Sequence, residues 1–181
     1  MSRWLLKPDE LWSWPELRSQ QALPRSPGVY GWYFKGLSKH VPLSTCHKHD
    51  GWSLAYVGIA ASRPRAERVK SIQTLHKRIG VHFTGNACGS TLRLSLGCLL
   101  ASKLGIELRR VGSSGTRLTF DLNAGEQKLS AWMVEHARVV FIEHPRPREL
   151  EEELIRELDL PLNLESNDQH PFHETLSKLR A

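Results

Sequence analysis

Apolar and polar residues alternate along the chain in short, well-marked blocks. From Gly28 the sequence runs Gly-Val-Tyr-Gly-Trp-Tyr-Phe, bounded by Pro27 and Gly36. A run of β-branched and aromatic residues between such breakers predicts a strand. Leu54 to Ile59 predicts a second strand, expected to pair with the first as an antiparallel hairpin across the polar loop of residues 36–52. In residues 67–83, Val69, Ile72, Leu75, Ile79 and Phe83 fall at helical spacing, with Lys70, Lys77 and Arg78 off the stripe. Gly85 to Gly89 interrupts this helix, and Ser90 or Thr91 is placed to cap a second one running to about Leu104, with Gly105 as its stop. Residues 106–121 divide around Gly112-Ser113-Ser114-Gly115 and predict a polar-tipped hairpin. A helix from about Glu126 to His136, a strand from Arg138 to Ile142 and a helix from Glu149 to Leu158, ended by Pro161, follow. A short helix around Glu174 to Arg180 is expected at the end.

This order predicts a mixed α+β fold, a small central antiparallel sheet flanked by helices. Residues 1–27 hold Trp4, Trp12 and Trp14 among polar residues and prolines, and read as an N-terminal wrap. Residues 28–163 form the main domain, with an insertion at about 84–136, and residues 164–181 form a tail.

Composition narrows the function classes. The 181 residues suffice for one domain with its own core, and 40% hydrophobic with 24% charged residues is an ordinary globular balance. No apolar run approaches the roughly 20 residues of a membrane helix. The early Trp4-Leu5-Leu6 patch is followed at once by Asp9 and Glu10, unlike a secretion signal, so a cytoplasmic location is expected. Three irregularly spaced cysteines, Cys46, Cys88 and Cys98, argue against a disulfide framework, and Cys88 and Cys98 are expected to be packed thiols. The net charge of +6 and the basic stretch from Arg63 to Arg78 favour a polyanionic partner.

Candidate chemistry then falls in chain order: Gly28-Val29-Tyr30 on the first strand, Tyr56-Val57-Gly58 on the second, and Arg78 and His82 one turn apart on the helix that follows. The late helix opens with Glu151-Glu152-Glu153-Leu154-Ile155 and is followed by Pro161-Leu162-Asn163. This order resembles the GIY-YIG nuclease family, which carries a tyrosine on each of two paired strands, an arginine on the next helix, a metal-binding glutamate and then an asparagine. The run from Glu151 through Leu154-Ile155 to Asn163 matches the family's late spacing, and valine stands for isoleucine in both tripeptides. The long loop between the tripeptides and the one-turn step from Arg78 to His82 are similar to the restriction-endonuclease branch.

The resemblance implies an endonuclease that hydrolyses DNA phosphodiesters. It also implies Tyr30, Tyr56, Arg78, His82, Glu151 and Asn163 at the active site, with Glu151 holding a divalent metal, Mg2+ or Mn2+. The residue types suit that chemistry. A carboxylate can hold magnesium, and a guanidinium can clamp nonbridging oxygens. A tyrosine can act as base where cations lower its pKa, and His82 can take or orient its proton. Glu152 is expected to point elsewhere on the helix. An inert nucleic-acid binder on the same scaffold is the alternative, and a protein-interaction module a third class.

Two further clusters stand out. His40, Cys46, His47 and His49 lie close together but lack a recognised zinc spacing, and are expected to form a polar loop. The segment Gly85 to Arg93 sets backbone N–H groups, hydroxyls and Arg93 at a helix start, so Ser90 and Arg93, together with Lys70, are candidate nucleic-acid contacts. For the helix-start pair, a plain cap is the competing explanation.

Overall fold

The computed structural model describes residues 3–61, 73–112, 115–120 and 124–181. Short helices α1 (Arg3–Leu6) and α2 (Trp14–Ser19) precede strand β1 (Gly28–Phe34). The two-residue strand β2 (Lys48–His49) and the long β3 (Trp52–Ala60) follow, then α3 (Leu75–Thr84) and α4 (Thr91–Leu104). The hairpin β4 (Leu108–Val111) and β5 (Arg117–Phe120), helix α5 (Ala124–His136), strand β6 (Ala137–Glu143), α6 (Pro147–Glu157) and α7 (His173–Leu179) complete the chain.

The main sheet has the order β2-β3-β1-β6, antiparallel throughout. β1 is its centre and is buried along its whole length, which fits its near-continuous apolar sequence. The expected β1–β3 hairpin is present; β6 adds to the other side of β1, and β2 forms within the predicted loop. Two layers cover the sheet. Tyr30, Trp32 and Phe34 face the core shared with α3, α4 and α5, whereas Val29 and Tyr33 face the one shared with α1 and α6. A bulge in β3, where the register steps between Trp32–Tyr56 and Tyr33–Leu54, lets Ala55 and Tyr56 both join the first core.

Helix α3 starts later than its apolar stripe predicts. Thr74 is extended (φ −114, ψ 157) and its hydroxyl caps the N–H of Lys77, so Gln73 and Thr74 precede the helix. Val69, Ile72 and Lys70, and with them most of the basic stretch, lie outside the described residues. α4 runs as expected from its Ser90 cap to Gly105, which takes the left-handed conformation at φ 60 and closes the helix. α6 buries Leu150, Leu154 and Ile155 against β3 and β1, and α7 packs on α4 through Leu176. Cys88 is exposed, contrary to the packed thiol expected of it, because it sits in the turn before α4; Cys98 is partly buried. Among the described residues no helix is long and apolar enough to cross a membrane.

Candidate active site

The pairing of β1 with β3 sets the first part of the site. Tyr30 lies opposite Gly58, and Tyr56 is two residues along β3 on the same face, so the tyrosines are diagonal neighbours. Gly58 is required by this arrangement: a Cβ built there would stand 2.7 Å from the Tyr30 hydroxyl and 2.9 Å from its ring.

Helix α3 brings up the next two residues. His82 is completely buried behind Tyr30, with Nε2 2.7 Å from the Tyr30 hydroxyl and Nδ1 2.7 Å from Ser90 Oγ. Burial, followed by the nearby Arg78 and Arg93 charges, holds His82 well below its ordinary pKa, so the ring is neutral. Arg78 donates to the Gly89 carbonyl at 2.8 Å, and its charge acts on Tyr30. With the ring neutral, a Tyr30 O–H directed at Nε2 leaves Nδ1–H to donate to Ser90. This tautomer satisfies all three groups. Tyr56 and Thr91 line the same cavity. Burial raises both phenols above their ordinary range, Tyr30 the more, against the lowering effect of Arg78.

Glu151 comes from the opposite layer, at the border of the α6 apolar stripe beside Ile155. It shares with Tyr30, Tyr56, Arg78 and Asn163 the walls of one open cavity of about 1080 Å³. Burial, and after it the neighbouring Glu165, pushes the Glu151 carboxyl up to about 7. Glu152 lines the same cavity, which corrects the expectation that it points elsewhere. Consecutive positions on a helix are about 100° apart, and a cleft this wide spans both.

Asn163 has a backbone task. Its Oδ1 accepts the Val57 N–H at 2.9 Å and its Nδ2 donates to the Val57 carbonyl at 2.9 Å, while Leu162 N–H donates to the Ala55 carbonyl at 3.0 Å. The segment after α6 thereby closes the free edge of β3 on both sides of Tyr56. Its carboxamide is buried and positions Tyr56 through the strand.

Two expected nucleic-acid contacts are corrected. Arg93 is fully buried, paired with Glu126 at 2.7 Å, and donates to the carbonyls of His82 and Phe83 and to Ser130. Ser90 is buried, capping α4 at Arg93 N–H and meeting His82. The plain cap prevails at this helix start, and these two residues brace the site from inside. Lys70 lies outside the described residues. In the loop, Cys46 Sγ donates to the Pro42 carbonyl, His47 Nε2 contacts the Leu6 carbonyl at 2.6 Å and His49 lies 3.6 Å from Asp50, so the cluster does not converge on one point. Burial pushes the Cys46 thiol up to about 12.

A family model of the GIY-YIG catalytic domain matches residues 28–181. The chain belongs to the GIY-YIG family. Comparison with curated proteins and with solved structures gave no significant match. The GIY-YIG match runs beyond Asn163 through the segment read as a tail, and the structure shows what that segment contributes: Glu165, Ser177 and Arg180 line the cavity. From the predicted insertion come Thr91, Leu94 and Leu118. Sequence reasoning passed over Arg148, Glu165 and Arg180, which stand in no motif.

Proposed function

We propose that this GIY-YIG nuclease hydrolyses DNA phosphodiesters, with Tyr30 as general base, His82 as its proton acceptor and Glu151 as the metal-holding carboxylate. The observation that carries the reading is the Tyr30–His82 hydrogen bond, which places a neutral imidazole behind a phenol that lines the cavity holding Arg78 and Glu151.

The base need not rest as a phenolate. A water in the cavity gives its proton to Tyr30 Oη while the Tyr30 proton passes to His82 Nε2, so no isolated phenolate forms in the interior. The imidazolium that results is opposed by Arg78 and Arg93; the phosphate of the bound strand supplies the compensating negative charge. Arg78, held by the Gly89 carbonyl, presents its remaining donors to the nonbridging oxygens, where charge grows as water attacks.

The residues fit a hard divalent cation. Glu151 is a desolvated carboxylate beside a second carboxylate, Glu165, with its pKa raised to about 7, and a cation would relieve that surplus of negative charge. When bound, Mg2+ or Mn2+ supplies neutralisation of the phosphate and help for the leaving oxygen. Asn163 acts as a positioning residue through Val57.

The test is cleavage of a panel of plasmid, single-stranded and branched DNA with Mg2+ or Mn2+, comparing wild type, Glu151→Gln and Glu157→Gln. Glu151→Gln should lower cleavage by several orders of magnitude, since Lewis-acid stabilisation is worth several kcal/mol. Glu157, exposed at the end of α6 and away from the cavity, serves as control. Equal cleavage by wild type and Glu151→Gln removes Glu151 from the site. DNA binding without cleavage of any substrate supports the inert-binder reading.

A further inference from the structure

Two cations of the cavity have no part in the chemistry above: Arg148, which is exposed and acts on the Glu151 carboxylate one turn along its own helix, and Arg180. Arg180 follows the last turn of α7, a helix fixed to α4 by the buried Leu176, and its half-buried guanidinium lies on the cavity wall. Several cations nearby are paired: Arg93 with Glu126, Arg146 with Glu149 and Lys178 with Glu174. Among the described residues the Arg180 guanidinium has no carboxylate partner and no hydrogen-bond acceptor. Its charge is felt instead at Tyr56 and at the Cys98 thiol. A guanidinium drawn out of water and left without an anion is costly, and burial indeed holds Arg180 below its ordinary range. Such a group is stable where an anion comes to it.

Position separates Arg180 from Arg78. Arg78 is tied to Gly89, just before α4, whereas Arg180 follows α7, which packs on α4, and its charge acts on Cys98 midway along that helix. Gly89 and Cys98 are on the order of 10 Å apart along α4, and Tyr56 feels both charges. The cavity exceeds the roughly 300–1,000 Å³ typical of a site for one small ligand, so it has room for more than one backbone phosphate.

We propose that Arg180 forms a second phosphate subsite, clamping a backbone phosphate of the bound nucleic-acid strand next to the one that is cleaved. This rests on the nuclease reading. The planar fork suits two oxygens of one phosphodiester, and its place at the C-cap of α7 means that this helix helps position the clamp. A phosphate gripped equally before and during cleavage contributes to binding rather than to the chemical step.

The experiment measures binding of fluorescent duplex and single-stranded DNA oligonucleotides in EDTA, where cleavage is stopped, across a salt series. Wild type, Arg180→Gln, Arg180→Lys and Lys178→Gln are compared. Arg180→Gln should weaken binding about tenfold or more and reduce the log–log salt slope by about 0.9 on duplex or about 0.7 on single strands. Arg180→Lys should keep the slope while recovering only part of the affinity. Lys178→Gln removes the same charge from the same helix, but one already paired with Glu174, and should change little. In cleavage assays Arg180→Gln should raise KM and leave kcat near the wild-type value. If wild type binds with a steep salt slope and Arg180→Gln is indistinguishable from it, the second subsite is wrong and the nuclease reading stands. Loss of affinity with an unchanged slope and a lowered Tm makes Arg180 a structural residue and also overturns the proposal. No binding by wild type at low salt overturns both.

Discussion

The hydroxyl of Tyr30 and Nε2 of His82 meet at 2.7 Å, each on a side chain with almost no solvent exposure. Two polar groups sealed in this way satisfy one another, and removing either leaves a buried orphan. Tyr30→Phe keeps the ring packing but strands Nε2. It should cost about 1–3 kcal/mol of stability and lower cleavage by roughly 10²–10⁴-fold, the usual weight of a general base. Chemical denaturation and single-turnover cleavage check the two numbers separately. Stability loss with full cleavage would leave Tyr30 a structural residue.

The titrations of Glu151 and His82 oppose each other. Glu151 is raised from 4.5 to about 7, so the folded chain holds a proton that the unfolded chain has released between those values. Its contribution to stability is complete below pH 4.5 and is lost as pH rises to about 7. His82 lies below its ordinary 6.5, so its contribution is present above 6.5 and is lost as pH falls. In the absence of metal, Glu151→Gln should flatten the fall on the rising side and leave the acid limb intact. With about 2–4 °C of Tm per kcal/mol in a chain of this size, the change is expected to be a few degrees and is readable by calorimetry. Divalent metal should bind more tightly as pH rises through about 7, because Glu151 must release its proton to hold it. A pH-independent difference between wild type and Glu151→Gln would contradict the assigned titration.

Asn163→Ala removes both bonds to Val57 and leaves the backbone beside Tyr56 unpaired at the strand edge. About 1–3 kcal/mol of stability should be lost, and cleavage should fall, while metal binding at Glu151 stays. Asn163→Asp keeps an acceptor for the Val57 N–H but turns a carboxylate toward the Val57 carbonyl, so it should be no better than alanine. Calorimetric titration with Mn2+ distinguishes the outcomes: loss of metal affinity in Asn163→Ala would make Asn163 a ligand.

The chain announced its sheet core and much of its site because both depend on local pattern. The Gly-Val-Tyr and Tyr-Val-Gly tripeptides are themselves strand segments, and Arg78 and His82 share a helix whose stripe is visible. Surface and interior were harder to separate. Arg93 looks like a phosphate ligand at a helix start until α5, more than thirty residues later, brings Glu126 to meet it. The pairing is long-range, and nothing near Arg93 encodes it. Glu152 likewise depends on the width of a cleft formed by seven separate elements, and Arg180 on the docking of α7 against α4. The start of α3 was locally encoded but masked: an apolar residue recurring before Thr74 extended the stripe past a good capping residue.

Gly58 offers the sharpest separation of geometry from chemistry, because it carries no functional group and does not line the cavity. It lies opposite Tyr30 in the β1–β3 register, and the Tyr30 ring occupies the space where its side chain would stand. No positive φ requires glycine here, so Gly58→Ala tests only the close approach. The added methyl, placed 2.7 Å from the Tyr30 hydroxyl, must push the phenol aside. The hydroxyl is the far end of a ring held by His82, so the displacement acts directly on that bond. A shift of about 1 Å at a catalytic group costs on the order of 10²-fold in rate, and overpacking costs about 1–3 kcal/mol in stability. DNA affinity measured in EDTA should remain close to wild type, since Arg78 and Arg180 are unchanged. The measurement is kcat and Kd together for Gly58→Ala, with Gly105→Ala as a comparison: that glycine is exposed, has φ 60 and has nothing within 4 Å. Gly105→Ala should lose stability through backbone strain and keep its cleavage rate while folded. A Gly58→Ala protein that cleaves at the wild-type rate would show that the position of Tyr30 does not govern the chemical step.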